Sequence, residues 1–226
     1  MKKHRIFRWI LTSFLLLFFT CGALGLWLWH AVSSVPQFYQ ELAITAEARK
    51  AAEKNSDSME RKVRSLRYRL RKEKMWILEF NQDEFNHWLA IAIGEKRPGV
   101  IPHRLKDPRG LILEDRILAG VTVNLPEFQG VISVEVFPSI TVPNTVDVEL
   151  KNVSAGTVKL SGKLFQSLIE RFAQDAALPI EVLNQDGRMI LRCHLREGDL
   201  VVDDQTIEVQ HLAIAGKSIL ITGMVR

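Results

Sequence analysis

The sequence predicts an α+β protein: an N-terminal transmembrane helix, a basic juxtamembrane helix, then a curved antiparallel sheet packed on two amphipathic helices. Three observations carry this prediction: a long uncharged apolar run, several stretches of alternating apolar and polar residues, and two segments with apolar residues at helical spacing. The predicted divisions are a cytoplasmic basic tail at 1–8, an anchor at 9–30, a helical basic arm at 31–74 and an extracytoplasmic α+β domain at 75–226.

The apolar run from Trp9 to Trp29 predicts the transmembrane helix. Its twenty-one residues carry no charge, and roughly 20 apolar residues let a helix cross a ~30 Å hydrocarbon layer. Tryptophans at both ends suit the lipid–water boundaries, and the basic residues before the run outnumber those just after it. We therefore expect a single-pass membrane protein with a cytoplasmic N-terminus and an extracytoplasmic C-terminal domain.

A cleaved signal peptide and a lipoprotein anchor are the alternatives for this segment. A signal peptide has an apolar core of roughly 7–15 residues before a small-residue cleavage site, whereas this run ends in Leu26-Trp27-Leu28-Trp29. Cys21 is a candidate lipidation site, but Phe18-Phe19-Thr20 before it differs from the usual Leu-small-Gly. The sequence favours a retained anchor and leaves cleavage open.

The segment 37–74 contains no Gly or Pro and is rich in Ala, Glu, Lys and Arg, which predicts helix. Asp57 followed by Glu60 is a capping-box pattern, which predicts an interruption over 55–58 and a second helix from Ser58. That helix carries apolar residues at 4-3-4 spacing: Met59, Val63, Leu66 and Leu70. Because a coiled coil needs about three or four such heptads, we predict at most a short dimerising or docking helix within 37–74.

A cluster of basic residues in the same arm predicts contact with an anionic surface. Each basic residue near an anionic membrane gains about 1 kcal/mol, so membrane lipids are the expected partner, and a solvated helical face is the alternative. Nucleic acid is not expected, because an exported domain would rarely meet it. The predicted membrane-surface residues are Arg61, Lys62, Arg64, Arg67, Arg69, Arg71, Lys72 and Lys74.

The domain is predicted to begin with a strand at 76–80 and an amphipathic helix. Asn81 with Glu84 forms a capping box, and Gly94 ends the helix. Apolar residues at i, i+3, i+4, i+7 and i+8 predict one buried face. That face consists of Phe85, Trp88, Leu89, Ala92 and Ile93.

Residues 95–110 contain three prolines and two glycines and are predicted to be loop. Beyond them, period-2 alternation predicts antiparallel strands with one buried and one solvated face. Pro138 and Pro143 indicate an edge or a strand break. The strands are expected at 111–113, 117–123, 132–136, 146–150, 189–195, 200–202, 207–214 and 218–224.

A second amphipathic helix is predicted to begin at Ser161 or Gly162 and to end before Pro179. Its apolar stripe consists of Leu164, Phe165, Leu168, Ile169, Phe172 and Ala176. The two helices together present more large apolar residues than a helix face usually holds, which suggests a hydrophobic ligand; filling the core is the alternative. The candidate ligand-binding residues are Phe85, Trp88, Leu89, Phe165, Leu168, Ile169 and Phe172.

Three features carry a resemblance to known proteins. They are a short strand leading into the helix NQDEFNHWL, long alternating strands, and the turn 153–156 before a helix that ends at Leu178-Pro179. In this layout the region 76–226 resembles YpmS-like envelope domains and the wider tubular lipid-binding (TULIP-like) group. The resemblance implies a sheet wrapped on a helix, with an apolar interior that holds an acyl chain, and it implies no catalytic residues. The basic arm and the lack of a second copy depart from that group.

The sequence carries no recognisable catalytic or metal-binding motif. Cys193 and His194 are neighbours on a predicted strand and therefore point to opposite faces, which prevents them from acting together as nucleophile and base. His87 follows Asp83 by four residues, a spacing that suits a surface ion pair better than half of a metal site. We expect no enzyme activity, no metal and no cofactor.

Two functions of different classes stay open. In the first, the domain binds a lipid or other hydrophobic ligand between the sheet and the helices. In the second, it is a non-enzymatic envelope scaffold that the anchor holds at the membrane surface, in contact with other envelope proteins. An apolar cavity of a few hundred Å3 favours the first function, and a filled interior favours the second.

Overall fold

The computed structural model describes residues 2–70, 73–97, 102, 104–125, 128–162, 165–167, 169–170, 180–185, 188–195, 201–202 and 205–225. These ranges contain the helices α1 (Lys2–Ser33), α2 (Gln37–Glu41), α3 (Arg49–Leu70) and α4 (Gln82–His87). A π-helical turn, Trp88–Ile93, continues α4. The described residues of 162–170 are also helical, where the second amphipathic helix was predicted to begin.

Helix α1 contains the predicted anchor. It is long and apolar enough to span a membrane, and none of its most apolar stretch is buried by the rest of the chain. Trp27 and Trp29 are exposed near its C-terminal end, where indole rings suit a lipid–water boundary.

Two antiparallel sheets contain the strands of the described ranges. The strands are β1 (Met75–Asn81), β2 (Leu105–Ile112), β3 (Ile117–Asn124), β4 (Gln129–Val142), β5 (Thr145–Ala155), β6 (Val158–Lys159), β7 (Ile180–Gln185), β8 (Arg188–His194), β9 (Val201–Val202), β10 (Gln205–Ala215) and β11 (Ser218–Val225). One sheet has the order β1-β11-β10-β9. The other has the order β2-β3-β4-β5-β8-β7, with β6 paired to β5.

The predicted α+β class with a large antiparallel sheet is confirmed, but the strands divide between two sheets instead of one. The sheets meet at the turn between β4 and β5. The backbone N–H of Asn144 donates to the carbonyl of Val209 in β10 at 3.0 Å, and the N–H of Val209 donates to the Asn144 side chain at 2.8 Å. Strand β7 was not predicted, because its partly buried residues do not alternate regularly with exposed ones.

Strand β2 begins inside the segment that was predicted to be loop. Asp107 has a φ of 50°, and the pairing with β3 shifts register between Lys106 and Arg109. Pro108 therefore lies in a bulge on an edge strand, where a residue without an N–H is tolerated. The prolines and glycines of 95–110 conceal this strand.

Strand β4 runs through Pro138 without a break. Pro138 pairs with Val148 of β5, while the pairing with β3 ends at Val136. Because Pro138 lies beyond the end of β3, its missing N–H removes no ladder hydrogen bond on that side. The edge interpretation therefore holds at Pro138, and Pro143 lies in the β4–β5 turn.

Helix α3, which covers half of the predicted arm, packs into the domain. It runs without interruption through 55–58, so the predicted restart at Ser58 is wrong. Its buried face follows the predicted 4-3-4 seam, except that Val63 is exposed, and continues back to Ser56 and Ala52. Three of its residues, Met59, Leu66 and Leu70, share one core cluster with Trp76, Leu78, Phe80, Ile207 and Val209.

The helix after β1 begins as predicted and then changes its period. Glu84 N donates to Asn81 Oδ1 at 2.9 Å, and Asn81 N donates to Glu84 Oε2 at 3.2 Å. Further on, Gly94 N donates to the carbonyl of Leu89, five residues back. This wider turn makes Ile91 and Ala92 its fully buried residues. The other predicted face residues are half-buried: Phe85, Trp88, Leu89 and Ile93.

Candidate functional site

An apolar cavity of about 270 Å3 lies between the seven-stranded sheet and the helices. Strands β2, β3 and β4 supply one wall, and Leu89 with Phe165 and Ile169 supplies the other. Arg109 also borders the cavity, but its guanidinium group stacks on the Tyr39 ring at 4.1 Å. The cavity therefore offers an apolar environment to a ligand.

The structure brings three of the seven candidate ligand-binding residues to this cavity: Leu89, Phe165 and Ile169. Two others lie elsewhere. Phe85 packs against the cluster of Ile112, Ile117 and Ile219, and Trp88 packs against the core that contains α3. Outside the described residues lie Leu168 and Phe172.

The wall on the sheet side was not among the candidate residues. Val121 on β3 and Val134 on β4 line the cavity, and their alternation with polar residues was the available signal. Leu105 and Pro108 also line it, but both fall in the segment predicted to be loop. The sequence pattern therefore indicated part of this wall and concealed the rest.

Close contact between α4 and the edge strand β2 positions Leu89 over the cavity. A Cβ atom at Gly110 would lie 2.6 Å from Phe85 Cε1 and 3.1 Å from Leu89 Cδ1, so any other residue would displace these side chains. The side chain of Gln82 donates to the Gly110 carbonyl at 2.8 Å and accepts from Ile112 N at 2.6 Å. These bonds satisfy backbone groups that an open sheet edge would leave unpaired.

A polar cleft of about 600 Å3 lies on the other side of Phe165, which lines both spaces. Lys151, Lys159 and Arg188 contribute basic groups to the cleft, and Glu149 contributes a carboxylate. Glu149 pairs with Lys151 at 3.0 Å. An anionic or zwitterionic group would find partners in this cleft.

The predicted membrane-surface residues of α3 have different roles. Lys62 Nζ donates to Glu84 Oε2 at 2.6 Å and to the Glu79 carbonyl at 2.9 Å. Arg69 donates to the Ile77 carbonyl at 3.3 Å. The exposed members of the cluster are Arg61, Arg64, Arg69 and Lys74. Outside the described residues lie Arg71, Lys72 and the side chain of Arg67.

His87 is half-buried instead of lying on a polar surface. Its Nδ1 lies 3.2 Å from Nδ2 of Asn55 on α3. Burial lowers the pKa of His87, and the charge of Asp83 opposes that shift. His87 therefore takes part in the packing of α4 on α3.

Among the residues that the structure describes, no three His, Cys, Asp or Glu side chains group as a metal site would need. Cys193 is half-buried, and His194 is exposed beside Thr145. No known protein family, curated protein or solved structure matches the chain.

Proposed function

We propose that the protein is a single-pass membrane protein whose extracytoplasmic domain binds an acyl chain in the cavity between its sheet and its helices. The supporting observation is the apolar cavity of about 270 Å3. An apolar cavity of about 150 Å3 binds benzene, and sites for drug-sized ligands measure roughly 300–1,000 Å3. The volume suits part of one acyl chain, with the headgroup outside.

The second candidate function is a non-enzymatic envelope scaffold at the membrane surface. The exposed basic residues Arg61 and Arg64 on α3 favour it, because they are available to an anionic lipid surface or an acidic partner protein. Dimerisation through 37–74 would need another face of α3, since its apolar seam is buried within the chain.

Photo-crosslinking of the full chain tests acyl-chain binding. The protein is reconstituted into vesicles containing a phospholipid with a diazirine at the end of one acyl chain, and crosslinked peptides are identified by mass spectrometry. We expect crosslinks on the cavity segments of β3 and β4 in addition to those on α1, which lies in the bilayer. Crosslinks confined to α1 would contradict the proposal and favour the scaffold.

Filling the cavity supplies the matched variants. Val134→Trp places an indole in the cavity and should reduce the β3 and β4 crosslinks roughly tenfold, which corresponds to about 1.4 kcal/mol of binding energy. Val142→Trp is the control, because Val142 lies exposed on the same strand. Ala119→Leu is a smaller filling substitution at another lining residue in case Val134→Trp prevents folding. Equal labelling of the filled variants and the control would argue against ligand binding in the cavity.

A further inference from the structure

The last turn of α1 is bound to the domain by the turn between β5 and β6. The carbonyl of Ala31 accepts hydrogen bonds from Thr157 N at 3.0 Å and from Thr157 Oγ1 at 3.2 Å. Gly156 has a φ of 57°, and a Cβ atom there would lie 2.6 Å from the Val32 carbonyl oxygen and 2.9 Å from that of Ser34. The turn therefore covers carbonyl groups that a helix end leaves unpaired.

The residues that follow α1 are also bound to the sheet. The hydroxyl of Tyr39 donates to the Asp107 carbonyl at 2.6 Å and lies 2.8 Å from Thr122 Oγ1. Arg109 stacks on the Tyr39 ring and donates to the Tyr39 carbonyl. Phe38 packs where Gly120 leaves room for it. The anchor is thus joined to the domain through fixed contacts instead of a free tether.

These contacts begin where the membrane boundary is expected. Trp27 and Trp29 are 62% and 66% exposed, and Ala31, the first residue bound by the domain, follows Trp29 by two positions. At about 1.5 Å per residue along a helix, this separation is roughly 3 Å. If α1 spans the membrane as proposed, the end of the seven-stranded sheet that carries Gly156 lies against the headgroup layer.

The apolar cavity is at the same end of the sheet. Its lining residue Val123 pairs with Gly130, which packs against the last turn of α1. Its lining residue Ile132 pairs with Ala155, the residue before Gly156. At about 3.3 Å per residue along a strand, Ile132 lies roughly 7 Å from Gly130.

We propose that the cavity takes its acyl chain directly from the bilayer leaflet next to which the anchor seats the domain. The occupant is one chain of a phospholipid of that membrane, and the contact between the β5–β6 turn and α1 holds the cavity at the headgroup layer. This inference rests on the proposed function, because it specifies the source of the ligand. It assigns Gly156 and Thr157 a role in loading that is separate from the cavity wall.

Two glycines with nearly the same positive φ provide a matched test. Gly156→Ala would push a methyl group into the carbonyls of α1 and detach the turn. Gly216 has a φ of 56° with no atom within 4 Å of its Cβ position, so Gly216→Ala introduces the same backbone strain without touching the anchor. The difference between the two variants reports the contact with α1 alone.

The experiment uses the full chain in vesicles with two separate probes, the diazirine phospholipid in the bilayer and a diazirine fatty acid added from solution. We expect Gly156→Ala to reduce phospholipid crosslinks on β3 and β4 severalfold while fatty-acid crosslinks stay at the level of the unchanged chain. Gly216→Ala should match the unchanged chain with both probes. If Gly156→Ala does not fold, Thr157→Val removes only the hydroxyl bond to Ala31 and should reduce phospholipid labelling to a smaller extent.

The outcomes separate this inference from the function on which it rests. Equal phospholipid labelling of the anchor-contact variants and Gly216→Ala would overturn direct loading, while cavity labelling itself would still support acyl-chain binding. Absence of cavity labelling with both probes in the unchanged chain would overturn the proposed function as well.

Discussion

Asp147 on β5 and Arg192 on β8 form a bidentate ion pair. Arg192 Nε donates to Asp147 Oδ1 at 2.7 Å, and Nη2 donates to Oδ2 at 2.8 Å. Thr141 adds a hydrogen bond at 3.1 Å, and the Asp147 side chain is only 10% exposed. The hydrogen bonds from Arg192 lower the pKa of Asp147, although burial opposes this shift.

Arg192→Met should destabilise the domain, because it leaves a buried carboxylate without its cation. We expect a loss in unfolding free energy at pH 7 that is smaller than for a fully buried pair, because Arg192 is partly exposed. Urea unfolding of the full chain in detergent micelles measures this loss in unfolding free energy. The double variant Asp147→Asn with Arg192→Met is the control and should recover part of the loss.

The loss in unfolding free energy caused by Arg192→Met should decrease at low pH. In the unchanged chain the pKa of Asp147 is lowered, so its stabilisation is present above the unfolded pKa near 3.9 and is lost as the pH falls through the folded pKa. Without Arg192, burial favours the neutral form of the Asp147 carboxyl group. This form becomes populated as the pH falls, so the variant loses less stability at low pH. The same loss at pH 7 and pH 3 would show that Asp147 does not cause the effect.

At the scale of the elements, Glu84 connects α3 to the start of α4. It is 6% exposed and accepts hydrogen bonds from Ser58 at 2.8 Å and from Lys62 at 2.6 Å. Burial opposes its ionisation, but the hydrogen bonds from Lys62, Ser58 and Asn81 outweigh burial and lower the pKa of Glu84. Asn55 similarly bonds to His87. These partners explain why the polar residues 55–58 do not end α3.

Replacing Lys62 with methionine should weaken the packing of α3 on α4. Because the Lys62 side chain is 39% exposed, solvent screening reduces the effect, and we expect a loss of about 1–2 kcal/mol. Thermal unfolding followed by circular dichroism measures the loss. Lys54→Met, at an exposed position of the same helix, should change stability by less than about 0.5 kcal/mol.

The pH dependence identifies Glu84 as the origin of the Lys62 effect. The pKa of Glu84 is lowered, so its stabilisation is present above the unfolded value near 4.3 and disappears as the pH falls through the folded pKa. The difference between Lys62→Met and the unchanged chain should therefore shrink between pH 7 and pH 3. An equal loss for Lys54→Met would mean that general charge removal, not this contact, lowers stability.

At the scale of the whole molecule, α3 shares one hydrophobic core with strands β1 and β10. Met59, Leu66 and Leu70 of α3 bury the side chains of Trp76 and Phe80 on β1. Full burial of one large apolar side chain contributes about 1.5–3 kcal/mol, and a typical domain is stable by only about 5–15 kcal/mol. Three such contacts therefore make up a large part of the stability.

A chain shortened to 75–226 should not fold cooperatively, because it lacks α3, whereas 37–226 retains α2 and α3. We expect a broad thermal transition and strong binding of an apolar dye for 75–226, and a single transition with weak dye binding for 37–226. Calorimetry and dye fluorescence on the two fragments measure this difference. A sharp transition in 75–226 would show that α3 is an accessory to the domain.

Much of the local structure was predictable because its signals lie within a few residues. The Asn81–Glu84 capping box and the turn at Ala215-Gly216-Lys217 depend on neighbouring backbone groups, and the strand alternation of β3 and β4 depends on a period of two. The candidate site was predicted in part: Phe165 and Leu89 reach the cavity, but Trp88 does not. The π-helical turn changes which residues of the helix after β1 face the core, and no local sequence pattern predicts such a turn.

The sequence by itself determined the long apolar helix, the α+β class and most strand positions, because charge, periodicity and turn chemistry act over short distances. Only the tertiary structure decided that α3 packs on β1, that the strands divide between two sheets and that a cavity stays open beside Val121 and Phe165. An apolar pattern records that a residue is buried, but not which partner buries it. The space left between elements depends on how distant side chains fit together, as does the contact of Gly156 with the end of α1.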